Sequence, residues 1–186
     1  MKRIIKAVPF TIPFAKKGSY YRAGNTTGYS TVYAPATNRM YSQVICFPED
    51  ITIDQLAIYI YTAAAAGGVA RMGLYADNGA LHPGQLLYGS GEISTVATGL
   101  KTAAPPSPIV IAKATPFWTC FLCGTAAPIL KCSNVYCLSA LGTDNIGVGW
   151  LFNGFYANKA YGALPATHPA GMLLRGIQDY VHIRLA

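Results

Sequence analysis

From residue 39 to the end, the chain is a succession of short runs rich in β-branched and aromatic residues, nearly all separated by turn residues. RMYSQVICF (39–47), ITIDQLAIYIY (51–61), VARMGLY (69–75), QLLYGSGEI (85–93), PIVIA (108–112), PFWTCFLCG (116–124), NVYCLSAL (134–141), GWLFNGFY (149–156) and DYVHIRLA (179–186) all have the length and composition of strands. Runs this short at this spacing predict an all-β fold, an antiparallel β-sandwich that is jelly-roll-like. Pro9, Pro13, Gly18, Gly24 and Gly28 leave no room for a long helix ahead of them. Residues 1–25 are therefore expected to form an extended N-terminal arm, and 26–186 the sandwich domain.

Within residues 51–61, Ile51 and Ile53 have one phase of the two-residue strand period, and Leu56, Ile58 and Ile60 have the other. A bulge or short turn near Asp54-Gln55 is expected there. AAAAGG (63–68) reads as a connecting loop because two glycines follow its alanines. Residues 157–178 show no steady period and read as a long loop with at most one helical turn, a candidate interface element. In ARMGLYADNGALHPGQLLYGSGEI (70–93), Asn78-Gly79 and Pro83-Gly84 read as turns. Asp77 reads as a turn former that accepts backbone hydrogen bonds. His82 has no neighbouring partner, and Ser90 lacks the Gly-x-Ser-x-Gly frame of a hydrolase nucleophile.

Only 11% of the residues are charged and 52% are hydrophobic, whereas a typical soluble domain is roughly 25% charged. That much apolar surface is expected to be covered by copies of the chain or by another protein. A membrane does not account for it: the longest uncharged stretch, 114–130, is interrupted by Pro116, Gly124 and Pro128. The start resembles a signal peptide, but Pro9, Pro13 and Lys16-Lys17 stand where its apolar run and small residues belong. Charge is also uneven. Residues 1–48 contain Lys2, Arg3, Lys6, Lys16, Lys17, Arg22 and Arg39 and no acid, while 49–186 hold seven basic and seven acidic residues. The arm, with Lys2, Arg3, Lys6, Lys16, Lys17 and Arg22, is thus a candidate docking element for an acidic partner. The neutral body makes nucleic-acid binding an unfavoured reading.

The stretch GLYADNGALHPGQLLYGSGEI resembles a segment of β-sandwich modules in bacteriophage virion proteins, especially tail-fibre and minor tail proteins. Gly73-Leu74-Tyr75, Asn78-Gly79, Pro83-Gly84 and Gly91-Glu92-Ile93 carry the likeness in order, with Tyr20-Tyr21, Asn38-Arg39-Met40-Tyr41 and Pro116-Phe117-Trp118 as further matches. It spans roughly residues 19–122. The cysteines and the 157–178 loop fall outside it. The resemblance implies a virion structural protein on the particle exterior, assembled in the host cytoplasm, as a short tail-fibre or tail-tip subunit or, alternatively, a capsid cement or decoration protein. A homotrimer, other virion proteins and a host surface glycan are the partners this reading expects. A soluble glycan-binding lectin unrelated to virions is a further alternative.

Site chemistry is sparse. Cys120, Cys123, Cys132 and Cys137 have zinc-like spacing, but in a strand Cys120 and Cys123 point to opposite faces, so buried thiols are favoured over zinc or a disulfide. Asp77-Asn78-Gly79 and Asp144-Asn145 lack the carboxylate run of a calcium loop. His82, His168 and His182 are scattered, with no paired carboxylates and no phosphate loop. No enzyme and no cofactor are expected. The aromatic cluster Trp150, Phe152, Phe155, Tyr156 and Tyr161 is the candidate subunit contact or glycan platform, with the contact favoured because charge is scarce there.

Overall fold

The computed structural model describes residues 15–22, 30–133, 154–170, 173–175 and 180–186. Its strands are β1 (Tyr20–Arg22), β2 (Ser30–Tyr33), β3 (Arg39–Ile45), β4 (Ile51–Thr62), β5 (Val69–Asp77), β6 (Pro83–Gly89) and β7 (Ile93–Ser94). They continue with β8 (Gly99–Ala103), β9 (Ile109–Ile111), β10 (Phe117–Cys123), β11 (Ile129–Ser133), β12 (Gly154–Asn158), β13 (Leu173–Arg175) and β14 (His182–Leu185). No helix occurs among the described residues. The chain is an all-β sandwich of two curled antiparallel sheets. One sheet runs β1-β14-β4-β11-β2, with β8 and β9 along the other edge of β4; the second runs β13-β12-β3-β10-β5-β6, with β7 on β5. The strand expected at 134–141 lies outside the described residues.

The long strand β4 organises the first sheet. Its burial follows the expected phase change: Ile51 and Ile53 are buried, Asp54 and Gln55 are both partly exposed, and Leu56, Ile58 and Ile60 are buried again. Across from it, Arg184 pairs with Gln55 but Leu185 pairs with Ile53, so β4 carries one extra residue at Asp54. That bulge returns all five aliphatic side chains to the inter-sheet core despite the break in alternation. The Arg184 guanidinium holds the bulged residue, donating from Nε and Nη2 to Asp54 Oδ1 and Oδ2 at 2.9 and 2.8 Å. These bonds keep the Asp54 carboxyl below the usual carboxylate range. Because the pair is partly solvent-exposed, it fixes geometry more than it stabilises.

The second sheet is buried on both faces. In β10 every residue from Phe117 to Cys123 is buried. Phe117, Phe121 and Cys123 face the inter-sheet core, and Trp118, Cys120 and Leu122 face outward into a second cluster with Met40, Tyr75 and Phe155. Cys120 and Cys123 thus lie on opposite faces, and Cys46, Cys120, Cys123 and Cys132 are buried free thiols. Burial raises the Cys120 and Cys123 thiols to about 12 and about 11, which keeps them protonated and inert at neutral pH.

The basic segment joins the body earlier than its composition implies. Ala15 donates its backbone N–H to Glu49, and Lys16 donates its own to the Tyr21 hydroxyl at 2.6 Å. Gly18, at φ 72°, turns the chain and bonds to the Leu185 carbonyl, and β1 then pairs with β14. Arg22 is therefore a residue of the sheet and not of a free arm, whereas Lys16 and Lys17 are exposed at its root. Lys2, Arg3 and Lys6 lie outside the described residues.

The loop after β4 shows how tightly the sandwich is closed. A Cβ on Gly68 would stand 2.3 Å from Ala64 Cβ, 2.8 Å from Thr95 Oγ1 and 3.0 Å from the Ala65 carbonyl oxygen. Gly68→Ala is expected to destabilise the fold by about 1–3 kcal/mol through overpacking, checked by urea unfolding of the two proteins.

Candidate functional site

The two sheets differ in what covers their outer faces. Residues 159–168 of the same chain, which follow β12, cover the outer face of the second sheet. Tyr75 Oη donates to the Pro165 carbonyl, the Leu86 N–H to Ala166 and the His168 N–H to Gly84, all at 2.8–2.9 Å. Asn38, in the left-handed region at φ 53°, anchors the other end by accepting the Lys159 and Tyr161 N–H groups on its carbonyl and side-chain oxygens. The fully buried Ser42 hydroxyl lies 2.6 Å from His168 Nε2, while Nδ1 faces the Pro169 carbonyl at 3.3 Å. This Ser–His pair is buried and works as a latch. Burial lowers the His168 imidazole to about 4, so it is neutral at pH 7.

This cover takes up the aromatic residues expected at a contact or glycan platform. Phe155 is 5% exposed and packs against Trp118 and His82; Tyr156 is 8% exposed, on the core face, beneath the Arg39 guanidinium. Neither presents a surface to a ligand, which corrects the expectation for both. Tyr161 closes the cover, reaching Glu92 through its hydroxyl at 3.2 Å with Arg71 over its ring. Trp150 and Phe152 lie outside the described residues.

Asp77 is the turn former its position implies. Oδ1 accepts the N–H groups of Gly79 and Leu81, and Oδ2 accepts Trp118 Nε1–H at 2.9 Å. Ser90 Oγ accepts the Met72 N–H and donates to the Gly91 carbonyl, acting as an extension of the ladder.

The first sheet, in contrast, leaves large apolar side chains exposed on its outer face: Tyr59 at 41%, Tyr61 at 58%, Leu100 at 54% and Val110 at 72%. A shallow open groove of about 270 Å³ crosses this face. Strand register builds it. Arg22, His182 and Ala57 stand side by side across β1, β14 and β4, and Tyr59 is opposite Leu100 of β8 in the next row. Ala57, 1% exposed, forms a floor too small to fill the row. Lys131 of β11 extends its ammonium to 5.6 Å from the centre of the Tyr59 ring. At the other end, the Tyr20 hydroxyl donates to Gln55 Oε1. Burial, then the nearby Arg22 charge, lowers His182 to about 4, so at neutral pH the permanent charges lining the groove are Arg22 and Lys131.

Among the described residues no group of three or more His, Cys, Asp or Glu side chains is placed to hold a metal ion. No helix among them is long and apolar enough to cross a membrane. No protein-family model matches this chain, and no curated protein matches its sequence. The fold and its two faces define a class: an all-β sandwich with one sheet covered by its own chain and one open face lined by aromatic and basic side chains.

Protonation of His168 gives a signed prediction. Its folded value of about 4 lies below its ordinary 6.5, so between these values the unfolded chain takes up the proton first, and stability declines as pH falls through that window. The full shift corresponds to about 3 kcal/mol. Replacing it with glutamine removes this contribution, so the stability difference between wild type and His168→Gln is expected to narrow from pH 6.5 to 4, measured by denaturant unfolding at several pH values.

Proposed function

We propose that the chain is a non-enzymatic structural protein of a bacteriophage virion, on the particle exterior, serving as an oligomeric short tail-fibre or tail-tip subunit. The observation that carries this reading is the contrast between the two outer faces. Where the chain can cover a face it does so with its own residues, yet it leaves Tyr59, Tyr61, Leu100 and Val110 open on the other. Such a face gains roughly 25 cal/mol per Å² when another protein buries it, before the cost of association is subtracted. The basic segment, fixed to the sheet edge at Ala15–Arg22 beside that face, supplies attraction and orientation toward an acidic partner.

The likeness to phage β-sandwich modules supports the same context. Its positions are the strand and turn residues of the β5-β6 hairpin, including Gly79 at φ 89° and the Asp77-anchored turn. A homotrimer and a contact with host surface glycan belong to this proposal. A capsid decoration protein would use the same open face and basic root, and differs only in where on the particle they dock. The lectin reading has less support, because among the described residues the groove is lined by none of the carboxylates and carboxamides that usually accept hydrogen bonds from sugar hydroxyls.

Deletion of residues 2–14 is the test, since β1 and the Ala15–Gly18 anchor remain in place. The expected outcome is a body with an unchanged circular dichroism spectrum and melting temperature that no longer enters particles. Unaltered incorporation overturns the docking claim. Intact heads with lost adsorption assign the protein to the tail, and heads that lose stability assign it to the capsid.

A further inference from the structure

Residues 159–168 lie over the second sheet with little of their own surface hidden. His168 is buried, and every other residue of the segment is half-buried or exposed. Beneath it Met40, Tyr75, Trp118, Cys120, Leu122 and Phe155 form an apolar cluster, against which Tyr161 and Leu164 of the segment pack, both partly buried. The segment meets β6 through an isolated bridge between Gln85 and Thr167, with the Leu86 N–H donating to Ala166 and the His168 N–H to Gly84. A segment with few buried contacts opens at a lower free energy than the sheet it covers. His168 is its one side chain inserted to full depth, so the imidazole is the peg that holds the segment down.

The surroundings of that peg suit a neutral imidazole. Nδ1 faces the Pro169 carbonyl, which can only accept, so Nδ1 carries the proton and Nε2 accepts from the Ser42 hydroxyl at 2.6 Å. The Tyr75 ring stands edge-on at 5.3 Å. Tyr75 of β5, and Cys120 of β10 opposite Ser42, are the titratable groups packed there among the described residues; burial raises both, so neither supplies a negative charge. Also ionisable on the covered face are His82 against Phe155, Asp77 bonded to Trp118 and Glu92 bonded to Tyr161. A proton on Nε2 would turn an acceptor into a donor facing a hydroxyl that is already donating, and would place a full charge in a buried site. In solvent neither cost arises.

We propose that residues 159–168 form an acid-released strap: protonation of His168 withdraws it from Ser42 and frees the strap as a unit, uncovering Trp118, Phe155 and the β6 backbone while the sandwich stays folded. The closed strap holds the imidazole at about 4 and the open one returns it to its ordinary 6.5, so opening takes up a proton between these values and becomes more favourable as pH falls. From pH 7 to pH 4 the equilibrium constant for opening rises by about a hundredfold. The device belongs to the fold, whether or not the protein belongs to a virion.

Hydrogen exchange of the full chain, followed by NMR from pH 4 to pH 7 and corrected for the intrinsic pH dependence of exchange, reads the opening directly. The Leu86, Lys159, Tyr161 and His168 amides bond across the boundary of the strap. They are expected to exchange at a lower free energy than the β10 amides, to be insensitive to low urea, and to open about a hundredfold more readily at pH 4 than at pH 7. Exchange of strap and β10 amides at one shared free energy overturns the proposal, because opening is then global unfolding; so does strap exchange that is flat with pH. Both outcomes are read on the wild type alone. His168→Gln keeps an acceptor for Ser42 and cannot take up the proton, so its strap is expected to open to the same extent at pH 4 and pH 7, within about twofold. Wild-type pH dependence in that variant overturns the proposal. Glu92→Gln, at the Tyr161 end, is expected to keep the wild-type pH dependence; its loss there places the switch at Glu92 and overturns the assignment to His168.

Discussion

The architecture depends on β10 being buried at all seven of its positions. A strand in the middle of a sandwich needs only one apolar face, but this one has Phe117, Phe121 and Cys123 on the inner side and Trp118, Cys120 and Leu122 on the outer. The outer set, with Phe155 of β12, requires a lid, and the segment that follows β12 as far as His168 provides it. Closing that lid involves buried polar groups, each of which has to find a partner inside. Ser42 therefore meets His168, Tyr75 meets Pro165, and the Trp118 indole meets Asp77. Asp77 ties the tip of the β5-β6 hairpin to β10, so the turn former also aligns its turn with the central strand.

Sealing one sheet leaves the other as the surface on which the molecule can meet its surroundings. The same chain that folds a long aperiodic segment over Trp118 places nothing described over Tyr59, Tyr61 or Val110. Electrostatics follow the same division. The carboxylates of the described body lie at turns, at the bulge and on the covered side, each matched to a donor of the chain. The excess of basic over acidic residues is concentrated in residues 1–48, whose described part enters the structure at the rim of the open face. Apolar exposure and the basic segment therefore occur on the same side, the combination on which the proposed docking relies.

Features set by local spacing were legible in the sequence. The phase change in ITIDQLAIYIY located the Asp54 bulge because alternation and burial are the same physical fact in a half-buried strand. The three-residue separation of Cys120 and Cys123 placed them on opposite faces for the same reason. Asp77-Asn78-Gly79 was readable as a turn because only a few residue types tolerate that backbone. β1, β7, β8 and β11 were not readable. They are two to five residues long, and in Gly99–Ala103 the strand GLKTA gains its partner only from β4, some forty positions earlier. The role of Phe155 and Tyr156 was also obscured, since an aromatic cluster has the same composition whether it faces a ligand or lies beneath a lid.

The groove shows the limit of sequence reading most clearly. Its residues come from five strands, and each has an ordinary reading in its own run: a strand histidine at 182, an alanine at 57, a lysine near a turn at 131. Only register brings them together, because β14 must lie against β4 and β1 against β14 before Arg22, His182 and Ala57 form a row. The bulge at Asp54 participates in that register. Removing its extra residue would shift the pairing on one side of the bulge by one position relative to the other, so that the His182–Ala57 and Leu185–Ile53 pairs could not both be kept. The ion pair between Asp54 and Arg184 sits at that bulge and holds the extra residue in place, next to the Gln55–Arg184 pairing from which the row of Ala57 and His182 is counted.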